Sequence, residues 1–226
     1  MRVVAPLLLE ARAVGGTRIG MRARRPLPDG PLALAGVAGA VTDLAPGDIV
    51  VADRILLADR SNGTRRTPDP AGRPGGTRRT AGPDAPHRTG DPDEVVLPGA
   101  ADLARALRIA GLTVHLGPVG GAAELVTGPA RAGWADRGAL AVDLESGPLA
   151  RTGRLAAVVR AVVDTPAHPL VSVGTIPRGT RALRSLRRAA PVLTAWAAAQ
   201  GSPGGPERQA GPVEITISLP GEVETP

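Results

Sequence analysis

The chain has 226 residues, with 27 basic and 21 acidic side chains and a formal net charge of +6, which is room for one domain with a full hydrophobic core. It contains no Cys, and this excludes disulfides, thiol nucleophiles and thiolate metal sites. Every basic residue is Arg and there is no Phe or Tyr; the skew has the look of GC-rich coding, so the positive charge is discounted as a sign of nucleic-acid binding.

Ala, Val and Leu supply almost all of the apolar content, which suits closely packed βαβ layers. Residues 2–9 form a continuous apolar run, expected as a first buried strand with Glu10 at its end. That run is too short for a signal peptide or a membrane span, so a cytoplasmic protein is expected. Thr17 to Met21 is a short candidate strand holding Gly20, and the Arg- and Pro-rich stretch 22–31 is too broken for a full crossover helix. Leu32 to Ala40 reads as a second buried strand that runs into a small-residue turn, and Ile49 to Ala52 is the clearest β-branched run.

From about Asp59 to Asp93, Arg, Gly, Pro, Thr and Asp dominate, and a stretch with so little to bury is expected to be a disordered insertion. Having no Phe, Tyr or Trp, it offers no stacking platform for single-stranded nucleic acid. Asp102 to Ala110 has helical spacing with Gly111 as its stop, Thr113 to Val119 reads as a strand, and Pro129 to Arg137 as a helix. Thr180 to Ala199 is expected to be an amphipathic helix kinked at Pro191, followed by a Pro/Gly-rich tail with one alternating heptad, Val213 to Leu219. Strands alternating with helices predict an α/β fold with a mixed, mostly parallel sheet between helical layers.

Acids are expected where three apolar strands end: Glu10, the Asp143/Glu145 pair, and Asp164. Ligands of α/β sheets bind at that carboxyl edge, although acids there also cap helices. Glu145 is the expected site residue of its pair, with Asp143 pointing another way in a structural role. The turn Gly36-Val37-Ala38-Gly39 is not a dinucleotide fingerprint. His115 and His168 lack ligand spacing, so no metal is expected.

Gly36-Val37-Ala38-Gly39 followed by Leu44-Ala45-Pro46-Gly47-Asp48-Ile49-Val50-Val51-Ala52 resembles the nucleoside phosphorylase and methylthioadenosine nucleosidase superfamily. Ala141-Val142-Asp143-Leu144-Glu145-Ser146 is similar to that family's "VDME" segment, and Val159 to Pro166 to its later Asp-bearing strand. Val163 to Leu170 and Leu183 to Pro191 look most like the hopanoid-associated branch, which acts on adenosylhopane. The resemblance implies a single domain over residues 1–199, interrupted by the 59–93 insertion, with 200–226 as a flexible tail. It implies cleavage of a purine N-glycosidic bond, with adenosylhopane or methylthioadenosine as substrate and no metal or cofactor.

By the same resemblance Glu145 holds the ribose hydroxyls, Asp164 protonates the purine at N7, and Glu10 activates water. Val37, Ala38, Gly39 and Leu144 would line the substrate, with Gly20 and Arg22 as candidate contacts for inorganic phosphate. Burial behind Ala156 to Val163 is expected to raise the pKa of Asp164. A homodimer is expected, without nucleic acid or a membrane span.

The chain departs from the family's pattern where the helix between the second and third strands is shortened or missing. Gly120-Gly121-Ala122-Ala123 also stands where a hydroxyl and an acid would be. These departures motivate the alternative of a catalytically weakened or inactive member, acting as a nucleoside-binding or assembly module.

Overall fold

The structure, a computed structural model, describes residues 1–58, 93–167 and 175–201. Among them the elements run β1 (Arg2–Ala5), α1 (Leu8–Val14), β2 (Thr17–Arg18), β3 (Leu32–Ala40), β4 (Ile49–Leu57), β5 (Glu94–Val96), α2 (Ala100–Ile109), β6 (Val114–Gly121), α3 (Ala130–Asp136), β7 (Ala141–Asp143), α4 (Ser146–Ala150), β8 (Leu155–Asp164) and α5 (Thr175–Gly201). This is the expected mixed, mostly parallel α/β arrangement, with one addition. β3 pairs with β8, β8 with β4, β4 with β6, β6 with β7, and β7 with β3, so the middle of the sheet closes into a ring. β1 and β2 extend it beyond β3, and β5 beyond β4. Register shifts in β3 between Ala38 and Gly39, and in β4 between Ala52 and Ile55, supply the bends that closure needs.

The strand alternation divides the core. Ala33, Ala35, Ile49, Val51, Ala157, Val159 and Ala161 face a layer built from α1, α2 and α5, through Ala11, Leu103, Leu107, Leu186 and Leu193. Leu32, Leu34, Val50, Ala52, Val158 and Val162 face the other way, onto Leu149 and Ala150 of α4. Side chains two apart on a strand share a face, so Arg160 belongs to the second set, between Val158 and Val162.

The N-terminal run corrects the sequence expectation. The first strand stops at Ala5, and the chain turns at Pro6, which has no N–H for the ladder, into α1. Glu10 is therefore a first-turn helix residue, and its Oε2 accepts the Leu7 N–H at 2.7 Å, which satisfies an orphan donor at the helix start. Leu8 and Leu9 face solvent while Glu10, Ala11, Ala13 and Val14 are buried. The strand expected over Thr17 to Met21 pairs only at Thr17 and Arg18.

No full helix follows β2: a three-residue 3-10 helix, Met21–Ala23, stands there, with Arg22 and Ala23 at φ of 55° and 51°. β5 was not anticipated. The helix expected from Thr180 runs Thr175–Gly201 with Pro191 inside it. Residues 59–92, 168–174 and 202–226 lie outside the described residues; they take in nearly all of the expected insertion and tail, His168 and the alternating heptad. No described helix is long and apolar enough to cross a membrane.

Candidate active site

The site is organised around Arg160, whose side chain is completely buried. Its Nε donates to Asp143 Oδ2 at 2.6 Å, and its Nη2 lies 3.4 Å from Glu145 Oε2. A buried guanidinium is tolerable only with carboxylates against it. Burial disfavours its charge, yet Asp143, Glu145 and Glu10 together outweigh that and raise its pKa further. β7 delivers Asp143 at its last residue, where the carboxylate also accepts the backbone N–H of Glu145 at 3.0 Å and of Ser146 at 2.7 Å, and the Ser146 hydroxyl at 2.5 Å. Asp143 thus starts α4 and anchors Arg160 together.

Asp143 and Glu145 do not point different ways, contrary to the sequence expectation. β7 ends at Asp143, residues two apart share a face even while a strand persists, and both carboxylates reach Arg160. Glu145 Oε1 accepts the Arg22 backbone N–H at 3.1 Å, so the short helix after β2 closes over it. Burial raises the Glu145 pKa above the ordinary carboxylate range; Arg160 draws it back, Asp143 pushes it up, the Arg22 N–H lowers it and Glu10 raises it.

Glu10 joins the cluster from α1, with Oε1 accepting the Val37 N–H at 2.8 Å. Gly36 makes the meeting possible. A Cβ there would overlap Arg160 Nη1 and come within 3.0 Å of Glu10 Oε1. Arg160 Nη1 has no hydrogen-bond partner among the described residues.

Asp164 ends β8 beside Gly39 of β3. It is paired with the buried Arg131 of α3, whose Nη1 also donates to the Ala40 carbonyl at 2.7 Å. The sequence named Asp164 but not the guanidinium that stands against it. Asp164, Gly39, Val142, Leu144, Ala122 and Leu125 line a small cleft. A separate recess is lined by Arg131, Val41, Ala135, Thr165 and Pro166.

Glu10, Glu145, Val37, Gly39, Leu144 and Asp164 therefore gather at one end of the β3–β8–β7 portion of the ring, with Ala38 buried in the strand between. The Arg22 N–H is directed to the Glu145 carboxylate, and Gly20 precedes the three-residue helix that carries Arg22. Gly120 and Gly121 have packing reasons of their own. The Trp134 ring lies where a Cβ on Gly120 would stand, and the Gly147 backbone where one on Gly121 would stand. Sequence reasoning missed Arg160 and Arg131 as site residues. A lone charge inside Leu155–Asp164, four residues before the acid and on its face, was the available signal for Arg160. Arg131 gave none. Among the described residues no group of three His, Asp or Glu could hold a metal, and His115 is committed to Asp48 at 3.0 Å.

The backbone is similar to solved nucleosidases. The 5'-methylthioadenosine/S-adenosyl homocysteine nucleosidase of Helicobacter pylori, complexed with a pyrrolo-pyrimidine compound, has a TM-score of 0.57 at 14% identity over 87% of this chain and 96% of that one. The futalosine hydrolase of the same organism has a TM-score of 0.58 at 13% identity, over 87% and 96%. The S-adenosylhomocysteine nucleosidase of Streptococcus pyogenes, in complex with 5-methylthiotubericidin, has 0.57 at 17%, over 86% and 94%. No curated protein matches the chain. At these identities the likeness speaks for the fold, and the family rests on sequence: a model of the phosphorylase superfamily matches residues 32–173, spanning β3 to β8 and the acids those strands carry. The chain belongs to the phosphorylase superfamily.

Proposed function

We propose that the protein cleaves the N-glycosidic bond of a purine nucleoside, with water as the nucleophile. The observation that carries this is the convergence of Glu10, Glu145 and Asp164, from α1, the β7–α4 junction and the end of β8, around Arg160 and the cleft beside Gly39. Departure of the base leaves positive charge on the ribose. An anionic Glu145 beneath the sugar favours that charge and orients the hydroxyls. Glu10 Oε1 and the unpartnered Arg160 Nη1 both face Gly36. Glu10 takes the proton of the attacking water, and a positioned general base contributes about 10²–10⁴-fold. Asp164 meets the purine in the cleft.

Water is favoured over phosphate because the segment after β2 is three residues of 3-10 helix whose Arg22 N–H is given to Glu145. Adenosyl compounds are the substrates to assay first: methylthioadenosine, and adenosylhopane for its apolar partner. Adenine release followed by ultraviolet absorbance, with and without phosphate, tests the reading. Release that needs phosphate would overturn water as nucleophile, and no release from either substrate at high enzyme concentration would overturn the activity.

The shortened segment after β2 favours a second reading, a nucleoside-binding module without turnover. Calorimetric binding of methylthioadenosine with no adenine released would support it. For either reading the nucleoside-binding domain is assigned to residues 1–199, with 59–93 inserted and 200–226 as a tail. Protease cleavage confined to those two segments would support that division, and a homodimer is the expected assembly.

A further inference from the structure

We infer that the start of α1 and the arginine-rich segment after β2 form a docking face for an anionic lipid bilayer, set beside the acids of the site. Leu7, Leu8 and Leu9 are 41%, 45% and 60% exposed, and Met21 is 58% exposed. α1 packs through Ala11, Ala13 and Val14 on its other face, so the fold makes no use of the Leu8 and Leu9 side chains. Single exposed leucines are ordinary on a protein surface. Three in succession at the margin of a site mark a surface that meets something apolar.

The topology brings the two segments to one edge of the sheet. β1 and β2 are adjacent parallel strands with Ala5 opposite Arg18, and the Ile19 N–H donates to the Ala5 carbonyl at 2.9 Å. The chain therefore leaves both strands at the same end, into Leu7–Leu9 from one and Met21–Arg25 from the other. Both segments border the site: the Leu7 N–H donates to Glu10, and the Arg22 N–H to Glu145.

The charge around the leucines selects the occupant. Arg12, Arg18, Arg22, Arg24 and Arg25 are exposed, and among the described residues none of these guanidinium groups meets a carboxylate. Glu10 is the one acid in residues 1–28, and it is buried. A two-fold interface sets a patch against its own copy, which would bring these cations together. Nucleic acid would satisfy the arginines but leave the leucines in water, and the segment has no aromatic ring to stack on a base. An anionic bilayer satisfies both. The leucines enter the boundary between headgroups and acyl chains, while the arginines stay at the phosphates. Docking of this kind lies in the plane of the interface and requires no spanning helix.

The test needs no turnover, so its failure would leave the nucleosidase reading untouched. The full chain is sedimented with vesicles of phosphatidylcholine alone, or of phosphatidylcholine and phosphatidylglycerol in equal parts, at low and at high salt. Wild type is expected to bind the anionic vesicles more tightly than the neutral ones, with binding weakened by salt. Leu8→Ser/Leu9→Ser and Arg24→Ser/Arg25→Ser should each weaken binding by about 10-fold, with the melting temperature unchanged. Because the chain has no Cys, a polarity-sensitive dye attached to Leu9→Cys reports on that position alone, and its emission should shift to the blue on anionic vesicles. Binding that both double variants retain in full, or a dye that does not shift, would overturn the face and assign the attraction to arginines elsewhere in the chain. A wild-type dimer that Leu8→Ser/Leu9→Ser splits into monomers would overturn it in favour of a second copy. Retention of duplex DNA with no binding to either vesicle would overturn it in favour of nucleic acid.

Discussion

Gly36 on β3 stands opposite Arg160 on β8, and the guanidinium occupies the space a side chain at 36 would take. Gly36→Ala is therefore expected to push Arg160 and Glu10 off their partners, at about 1–3 kcal/mol, the usual cost of overpacking a filled core. Thermal melting and adenine release should fall together. A Gly36→Ala protein as stable and active as wild type would show that the Glu10–Arg160 meeting is not needed.

Arg160→Met keeps length and removes charge. It leaves Asp143 and Glu145 buried without their cation, and breaking a buried ion pair from one side costs about 3–5 kcal/mol. Urea unfolding should show this as a lower midpoint with unchanged slope. Adding Asp143→Asn to Arg160→Met should recover part of the loss, because one of the two residual charges is then removed too; a double variant less stable than the single one would contradict that account.

For Glu145 the sign of the pH effect follows from its raised pKa. Folding favours the protonated form, so the stability this group contributes is complete below its unfolded pKa and is lost as pH rises through the higher folded value. Above that value the folded protein carries an ionised carboxylate that burial disfavours. Glu145→Gln should therefore melt higher than wild type at about pH 8, with the difference closing toward about pH 4, while losing activity. In wild type the acid limb of kcat/KM should lie above the ordinary carboxylate range, since the free enzyme needs anionic Glu145. An amide variant that melts lower at the alkaline end would refute the assignment of cause.

Glu10→Gln preserves the shape of the α1 start but cannot take a proton from water. Turnover should drop by about 10²–10⁴-fold, while calorimetric affinity for methylthioadenosine stays close to wild type. Loss of binding and turnover in equal measure would assign Glu10 to holding the substrate instead.

What was legible in the sequence follows from how local each signal is. Leu32–Ala40 was read with its observed bounds, because an apolar run broken only by glycine in a chain of alternating elements has few other uses. The end of β8 at Asp164 was legible for the same reason. The N-terminal run failed because apolar residues alone do not separate strand from helix: Pro6 and the Glu10–Leu7 bond decide it, and Leu8 and Leu9 are apolar yet exposed. Asp143 was assigned a structural role but placed on the wrong face. Arg131 could not be read at all, since its partner Asp164 is 33 residues away and arrives by way of β7, α4 and β8.

The place of β8 within the closed ring has a consequence for how the site responds to stress. β8 bonds β3 on one side and β4 on the other, and it bears both Arg160 and Asp164. Amides on such a doubly paired inner strand exchange with solvent deuterium only when the whole domain opens. Hydrogen exchange along Val158 to Val163 should thus report the global unfolding free energy. Loss of activity on mild heating should track complete unfolding, because Arg160 and Asp164 sit where the protein opens last.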